Sequence, residues 1–455
     1  MLHALVGYEA DHIIRYLLHI FFILLPARQL RERRPYASQF SRTSCTYGPI
    51  IDHLFSPCEH LLMSTRHKPE LDGIRGLAIL GVLATHSAFY FQVTSATKPL
   101  MVLMLFGQWG VDLFFALSGF LITGILLETR AATNYLGSFY ARRILRIWPI
   151  YYSVLVLLFS LALISPWVAA HMPVRKEWLS YLFYLQNVPY FWANGYVISP
   201  TMLGHFWSLA VEEQFYLIWP FIVMLAPESV LLALCAAGLA AALPLRLYLM
   251  HHVFGTSWAE MIITTARMDG LFVGAAYAIL LYRFRKVSLP FLAFPAFSGI
   301  AILGWIAVFH FRGEFFGSGP YMRTFGVTAV ALLAGTLIAL SQYKLEPVDR
   351  ALRMGWLRFF GRYSYGIYVF HIPIFIIASH MVAARRRIPD AIGLVMPLPF
   401  VSAAVFILTI NAASILLAVL SYQSVESRIL RLKDKFRPQF EERSTQQYVG
   451  EPGRS

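Results

Sequence analysis

Charge is scarce in this sequence: only 14% of its 455 residues are Asp, Glu, Lys or Arg. A soluble chain carries about a quarter charged residues and under half apolar ones. Here 58% fall in the hydrophobic set and the mean hydropathy is +0.60, so an ordinary soluble globular fold is excluded. Disorder is excluded by the same apolar content, and a collagen-like repeat by a glycine count of 29. Cysteine is almost absent. Cys45, Cys58 and Cys235 cannot build a disulfide framework, and no Cys-x-x-Cys or Cys/His spacing points to zinc, so no metal is expected. Acidic residues are the rarer charge, 24 against 38 Lys and Arg, which leaves a net +14. Such an excess ordinarily raises nucleic acid as a partner, and its distribution decides the matter.

What the chain has in abundance is apolar runs of about 20 residues, the length a helix needs to cross the hydrocarbon core. Ten are expected to be core spans, at 74–94, 101–127, 147–168, 207–226, 229–249, 262–282, 289–309, 324–341, 363–382 and 398–422. The fold class is therefore all-α, a polytopic membrane helix bundle with about ten transmembrane helices. With the segment before residue 74 on the cytoplasmic side, inside segments hold 27 Lys and Arg and outside loops 8, the remaining three lying within spans. That asymmetry predicts both termini inside. The positive charge reads as topology and lipid headgroup contact, with no nucleic-acid partner.

Residues 1–66 differ from the rest and form an N-terminal extension, followed by a transmembrane domain at 67–428 and a cytoplasmic basic tail at 429–455. His12–Leu25 is apolar but short for a span, and a basic stretch from Arg28 to Arg34 follows it. Three readings stand: an interfacial helix, a poorly ordered tail, or upstream sequence with the working start at Met63. The last two together fit best, because the patterned segment begins at His67.

Against this apolar background the ionisable residues inside spans stand out, and such groups are costly enough to mark a pathway or a reaction site. Asp72 and Arg75 are three apart and share a helix face. From Arg75 to His86 is eleven residues, about three turns and roughly 16 Å, which returns to the same face. Arg75 is thus expected near the cytoplasmic surface, with His86 near mid-membrane on the same stripe. A deep imidazole suits general-base work, and its plain alternative is a histidine bonded to a neighbouring helix. Arg142, Arg143 and Arg146 lie in the loop after the second span, where they form either an anion cradle or a positive-inside anchor. Glu212 and Glu213 open the fourth span. Adjacent helix positions are about 100° apart, so at most one is expected to face His86. Arg267, Asp269 and the run Gly361–His371 add polar groups at span ends, although interfacial tyrosine often forms only an aromatic belt. His251 and His252 are adjacent and point apart, a poor metal pair. No Gly-x-Ser-x-Gly elbow surrounds Ser118.

Several of these segments follow an order. Arg75 and His86 stand with ten residues between them; Phe-Phe-x-Leu-Ser-Gly-Phe occupies Phe114–Phe120; Arg-x-x-Arg falls at Arg143 and Arg146. Trp-Ser-Leu-x-x-Glu-x-x-Phe-Tyr spans Trp207–Tyr216, and Tyr-Ser-Tyr-x-Ile-Tyr spans Tyr363–Tyr368. In these motifs the chain resembles the acyltransferase-3 family of integral membrane O-acyltransferases, from His67 to about Arg428. Two departures are the long N-terminal extension and the lack of a further extracytoplasmic domain after Tyr422, which weakens an inference to the acceptor of two-domain members.

The resemblance implies transfer of an acyl group, commonly acetyl, from cytoplasmic acyl-CoA to a hydroxyl of a carbohydrate, glycolipid or glycosylated metabolite, in a bacterial inner membrane. It implies His86, Arg75 and Glu212 as catalytic residues. In that reading Arg142, Arg143 and Arg146 hold the CoA phosphates, His86 deprotonates the acceptor, and Arg75 orients the donor or stabilises negative charge. Glu212 positions the acceptor or polarises His86, and Asp72, Ser118, Ser364 and Tyr365 support the site. Membrane lipids are the other partner. The rival class is a transporter of a lipid-linked or glycosylated substrate, against which stands the lack of a visible internal repeat.

Overall fold

The computed structural model describes residues 68–189, 201–254, 259–284, 287–309, 319–386 and 398–440. The expectations for the N-terminal extension, and for the tail beyond residue 440, lie outside the described residues. Among these there is no strand, and a single isolated bridge joins Phe91 to Leu398. With short turns left unlabelled, the helices are α1 Pro69–Ala88, α2 Lys98–Leu105, α3 Gly110–Thr129, α4 Tyr135–Ile164, α5 Trp207–Leu225, α6 Glu228–Tyr248, α7 Asp269–Phe284, α8 Leu289–Phe309, α9 Val327–Ser341, α10 Gly355–Arg386 and α11 Phe400–Ser421.

Each of the ten expected spans holds a helix, and eight helices among the described residues are long and apolar enough to cross a membrane. The protein is a polytopic helical membrane bundle. Two of the ten fall short for separate reasons. Helix α1 carries Glu70, Asp72, Arg75 and His86, and it ends at Ala88, six residues before the expected boundary, because Thr94 and Thr97 fold the following loop. The 262–282 segment is broken: a short helix Thr264–Arg267 ends at Met268, and the 16-residue α7 begins at Asp269, whose carboxylate accepts from Gly270 N–H at 3.1 Å. An acid at that position suits the positive end of a helix.

Close approach of backbones holds the bundle together, as expected where apolar lipid removes most of the hydrophobic drive between helices. A Cβ on Gly119 of α3 would sit 2.0 Å from the Leu271 carbonyl oxygen of α7, and one on Gly274 would sit 1.9 Å from that of Ala116. Only glycine permits that crossing. Helices α1 and α10 meet the same way, with Gly361 against the Asp72 carbonyl. The outward faces of α8 and α11 are apolar, with Phe294, Phe297, Val401 and Leu408 all about 70% exposed or more, while acids and arginines are buried inside. A surface of that kind faces lipid.

The connections alternate between two ends. At one end Lys68 Nζ donates to Gln342 Oε1 at 2.6 Å, Arg353 pairs with Glu70, and Asn134 binds both the Arg437 carbonyl and Gln439 N–H. Residues 437–439 are thus held against the α3–α4 connection. At the other end the Phe91–Leu398 bridge and the Asp112–Arg267 pair join the opposite termini of these helices.

Candidate active site

Five helices, α1, α3, α4, α5 and α10, line a cavity of about 110 Å³. Arg75 enters from α1, Ser118 from α3, Arg143 and Arg146 from α4, Ser208, Glu212, Glu213 and Tyr216 from α5, and Ser364, Tyr365 and Tyr368 from α10. Apolar side chains, among them Val111, Phe114, Leu117, Leu121 and Ile147, make up the rest of its wall.

The arginines of the second connection lie inside a helix and not in a loop, because α4 begins at Tyr135. That corrects the loop placement and separates the three. Arg143 and Arg146, three residues apart, share a face and reach the cavity, while Arg142 is about 100° round the helix from Arg143 and does not line it. Arg143 stacks its guanidinium over the Phe139 and Tyr216 rings, 5.8 and 5.9 Å from their centroids. Neither Arg143 nor Arg146 has an ion-pair partner among the described residues. Arg75 is different: its Nη1 lies 2.7 Å from Asp72 Oδ1, which aims it into the cavity.

Glu212 and Glu213 both line the cavity. Glu212 accepts from the Ser118 hydroxyl at 2.8 Å and from the Tyr216 hydroxyl at 3.3 Å, tying α5 to α3. One oxygen of Glu213 is buried with no hydrogen-bond partner among the described residues. Ser364 donates to the Gly361 carbonyl and Tyr365 to that of Ile147, both fixing the α10 wall.

His86 is not part of that wall. Its Nδ1 lies 2.9 Å from the Val82 carbonyl, which can only accept, so Nδ1 carries the proton and Nε2 keeps its lone pair. Its ring meets the His371 ring edge-on at 5.0 Å, and His371 in turn meets His205 at 4.9 Å. Tyr368 separates this row of imidazoles from the arginine cavity. Its hydroxyl donates to the His205 carbonyl at 2.7 Å and lies 2.5 Å from Ser208 Oγ. Among the described residues no group of histidine, cysteine and acid side chains is placed to hold a metal ion.

A family model described as an acyltransferase domain matches residues 68–418. The chain belongs to the acyltransferase-3 family. It is 30% identical over 334 residues to peptidoglycan O-acetyltransferase OatA of Listeria monocytogenes, covering 68% of this chain and 50% of that protein. It is 31% identical over 359 residues to the putative peptidoglycan O-acetyltransferase YrhL of Bacillus subtilis, covering 70% and 50%. To O-acetyltransferase OatA of Staphylococcus aureus it is 26% identical over 345 residues, covering 70% and 52%. The chain thus spans about half the length of the curated relatives it matches. No solved structure matches it.

Of the residues singled out in the sequence of this acyltransferase-3 chain, the cavity gathers Arg75, Ser118, Arg143, Arg146, Glu212, Ser364 and Tyr365, and Arg142, His86 and Asp72 do not line it. The sequence did not single out His205, Ser208 or the pairing of Arg246 with Asp269. His205 stands two residues before a noticed motif, with no spacing to flag it. A charge inside an apolar run was the available signal for Arg246, since such a group must find a partner.

Proposed function

We propose that the protein is a membrane O-acyltransferase moving an acyl group, acetyl being the simplest, from acyl-CoA to a hydroxyl of a carbohydrate acceptor. The observation that carries the reading is a cavity inside the bundle with two arginines on one face of α4, neither ion-paired among the described residues. Guanidinium groups bind phosphate in paired, charge-assisted bonds, and CoA presents several phosphates. The relatives named as O-acetyltransferases, two of them for peptidoglycan, support a carbohydrate acceptor in the cell envelope. The cavity side with Arg143 and Arg146 is the cytoplasmic side in this reading, since the segments expected inside hold 27 Lys and Arg against 8 in those expected outside. Both termini are then cytoplasmic, in a bacterial plasma membrane, and 67–428 is the working domain.

In this reading each group has one role. Arg143 and Arg146 hold phosphate, and Arg75, oriented by Asp72, faces the thioester and stabilises charge on its oxygen as the acceptor attacks. His86, with its Nε2 lone pair, takes the hydroxyl proton. Glu212, bound to Ser118 and Tyr216, fixes α5 against α3 and positions the acceptor. Arg142 has no part in phosphate binding here.

Membranes holding the protein, given labelled acetyl-CoA, test the reading. Label appearing in a carbohydrate fraction, and absent with His86→Ala, supports it. Label crossing the membrane with no covalent transfer overturns it in favour of a transporter.

A further inference from the structure

Past the end of α11 the chain folds against α4. It continues as short helical turns, Tyr422–Glu426, Ser427–Arg431 and a tighter one at Leu432–Phe436, all three packed on α4. Beyond them the strap is pinned. Thr133 N–H donates to the Gln439 carbonyl at 2.8 Å, Asn134 Nδ2 to that of Arg437 at 2.9 Å, and Gln439 N–H to Asn134 Oδ1 at 2.9 Å. Asn134 directly precedes α4, whose first turns carry Arg143 and Arg146.

The strap is basic, with Arg428, Arg431, Lys433, Lys435 and Arg437. Lys433 alone among these is half-buried; the other four are exposed. Its neighbour Asp434 is taken by Arg437 at 2.8 Å, and Lys433 has no hydrogen bond or ion pair among the described residues. Its charge meets like charge instead, repelled by Arg146, Arg143, Arg142 and Arg75. Arg146, Arg143 and Arg75 line the cavity, whereas Lys433 does not, so it stands just outside their cluster. Holding an ammonium half-buried among other cations is costly unless an anion joins them.

Resting on the reading above, we propose that Lys433 binds the ribose 3′-phosphate of the CoA donor, completing from outside the cavity a site that Arg143 and Arg146 begin within it. CoA carries phosphate in two places: a diphosphate in mid-molecule, and a single phosphate on the ribose at the end far from the sulfur. With the thioester facing Arg75, the ribose end is the last part to enter and lies toward the strap. The planar forks of Arg143 and Arg146 suit the diphosphate, and an ammonium on a flexible stem suits the outer monophosphate. Lys433 takes no part in bond making, so its effect falls on donor affinity and on the choice among donors. Anionic lipid headgroups present the same phosphate chemistry, and the exposed Arg428, Arg431 and Lys435 are the residues placed to meet them.

The test compares acetyl-CoA with acetyl-3′-dephospho-CoA as donors for the full chain, reconstituted in phosphatidylcholine vesicles with and without phosphatidylglycerol. The wild type is expected to show an apparent KM about 10- to 100-fold higher for the dephospho donor, the loss of one charge-assisted bond. Lys433→Met should raise the KM for acetyl-CoA by that same factor, leave the KM for the dephospho donor unchanged, and keep kcat near wild type with both. Lys433→Arg should retain the discrimination, and Lys435→Met, exposed on the same strap, should alter neither KM. A wild type indifferent to the 3′-phosphate overturns the proposal, and this comparison stands even if Lys433→Met does not accumulate. An equal KM rise with both donors, or no rise with either, overturns it as well. An effect of Lys433→Met confined to vesicles with phosphatidylglycerol makes the lipid headgroup the partner and also overturns it. A wild-type protein that transfers from neither donor overturns the acyltransferase reading and this assignment together; an active wild type without discrimination overturns the assignment alone.

Discussion

Two parts of the molecule hold arginines inside the bundle, and they treat them in opposite ways. Around α6, α7 and the start of α3, each arginine has its acid: Arg246 with Asp269 at 2.9 Å, Arg267 with Asp112 at 2.8 Å, and Arg323 with Glu260 at 2.8 Å. Arg246 is also bound to the carbonyls of Ala266 and Thr324 and to Thr328, and Thr328 donates to Asp269. In the cavity, Arg143 rests on aromatic rings and Arg146 faces open space. Buried charge costs several kcal/mol per ion unless it is paired. A lattice that pairs its cations internally spends that attraction on holding helices together. A cavity that leaves two unpaired holds it for an anion from outside.

Breaking the lattice should have the largest effect. Asp269→Ala leaves Arg246 buried and unpaired, a loss of about 3–5 kcal/mol. The expected outcome is little or no folded protein in the membrane, read by detergent-solubilised yield and melting temperature. The double change Arg246→Met with Asp269→Leu removes both charges and should restore much of that yield. Its failure would show that the pair does more than hold helices.

Next in size is His86→Ala, expected to lower acyl transfer about 10²- to 10⁴-fold with the melting temperature unchanged. Retained transfer would remove His86 from the chemistry and leave it a packing residue. Arg143→Ala and Arg146→Ala should each raise the apparent KM for acyl-CoA about 10- to 100-fold, the equivalent of one charge-assisted bond of roughly 1.5–3 kcal/mol. Dependence on the acceptor should hardly change. If these variants instead unfold the protein, the cavity arginines are structural and the contrast between the two regions fails. The smallest effect belongs to Arg142→Ala, expected within about twofold of wild type in donor titrations, as for a residue away from any site. Comparing it with Arg143→Ala shows whether one step of 100° round α4 separates a ligand-binding residue from a bystander.

The difference between the two regions was only partly visible in the sequence. Arg246, Arg267 and Asp269 are conspicuous in apolar runs, yet nothing in their spacing says that Arg246 pairs with Asp269 and Arg267 with Asp112, 155 residues away. For the cavity, Arg75, Ser118, Arg143, Arg146, Glu212 and Tyr365 were legible because each stands in a short motif inside or beside an apolar run. Arg142 was misplaced because a run of basic residues looks like a loop until the helix start is known. The row from His86 to His205 was hidden because its members come from α1, α10 and the turn before α5.

The sequence by itself determined the class of structure, since the length and polarity of an apolar run are local properties and lipid demands that each crossing satisfy its own backbone. It also determined which end of the bundle collects the positive charge, as a matter of counting along the chain. The tertiary structure alone decided where α1 ends, why the 262–282 segment breaks at Met268, and which arginines are paired. It also decided that Tyr368 and Ser208 line the cavity while His86 does not. Those outcomes depend on how helices cross at glycines such as Gly119 and Gly361, and on which polar groups are then left to satisfy one another. Neither is set by any one segment, because a buried charge or imidazole takes its partner from whichever helix the packing brings within reach.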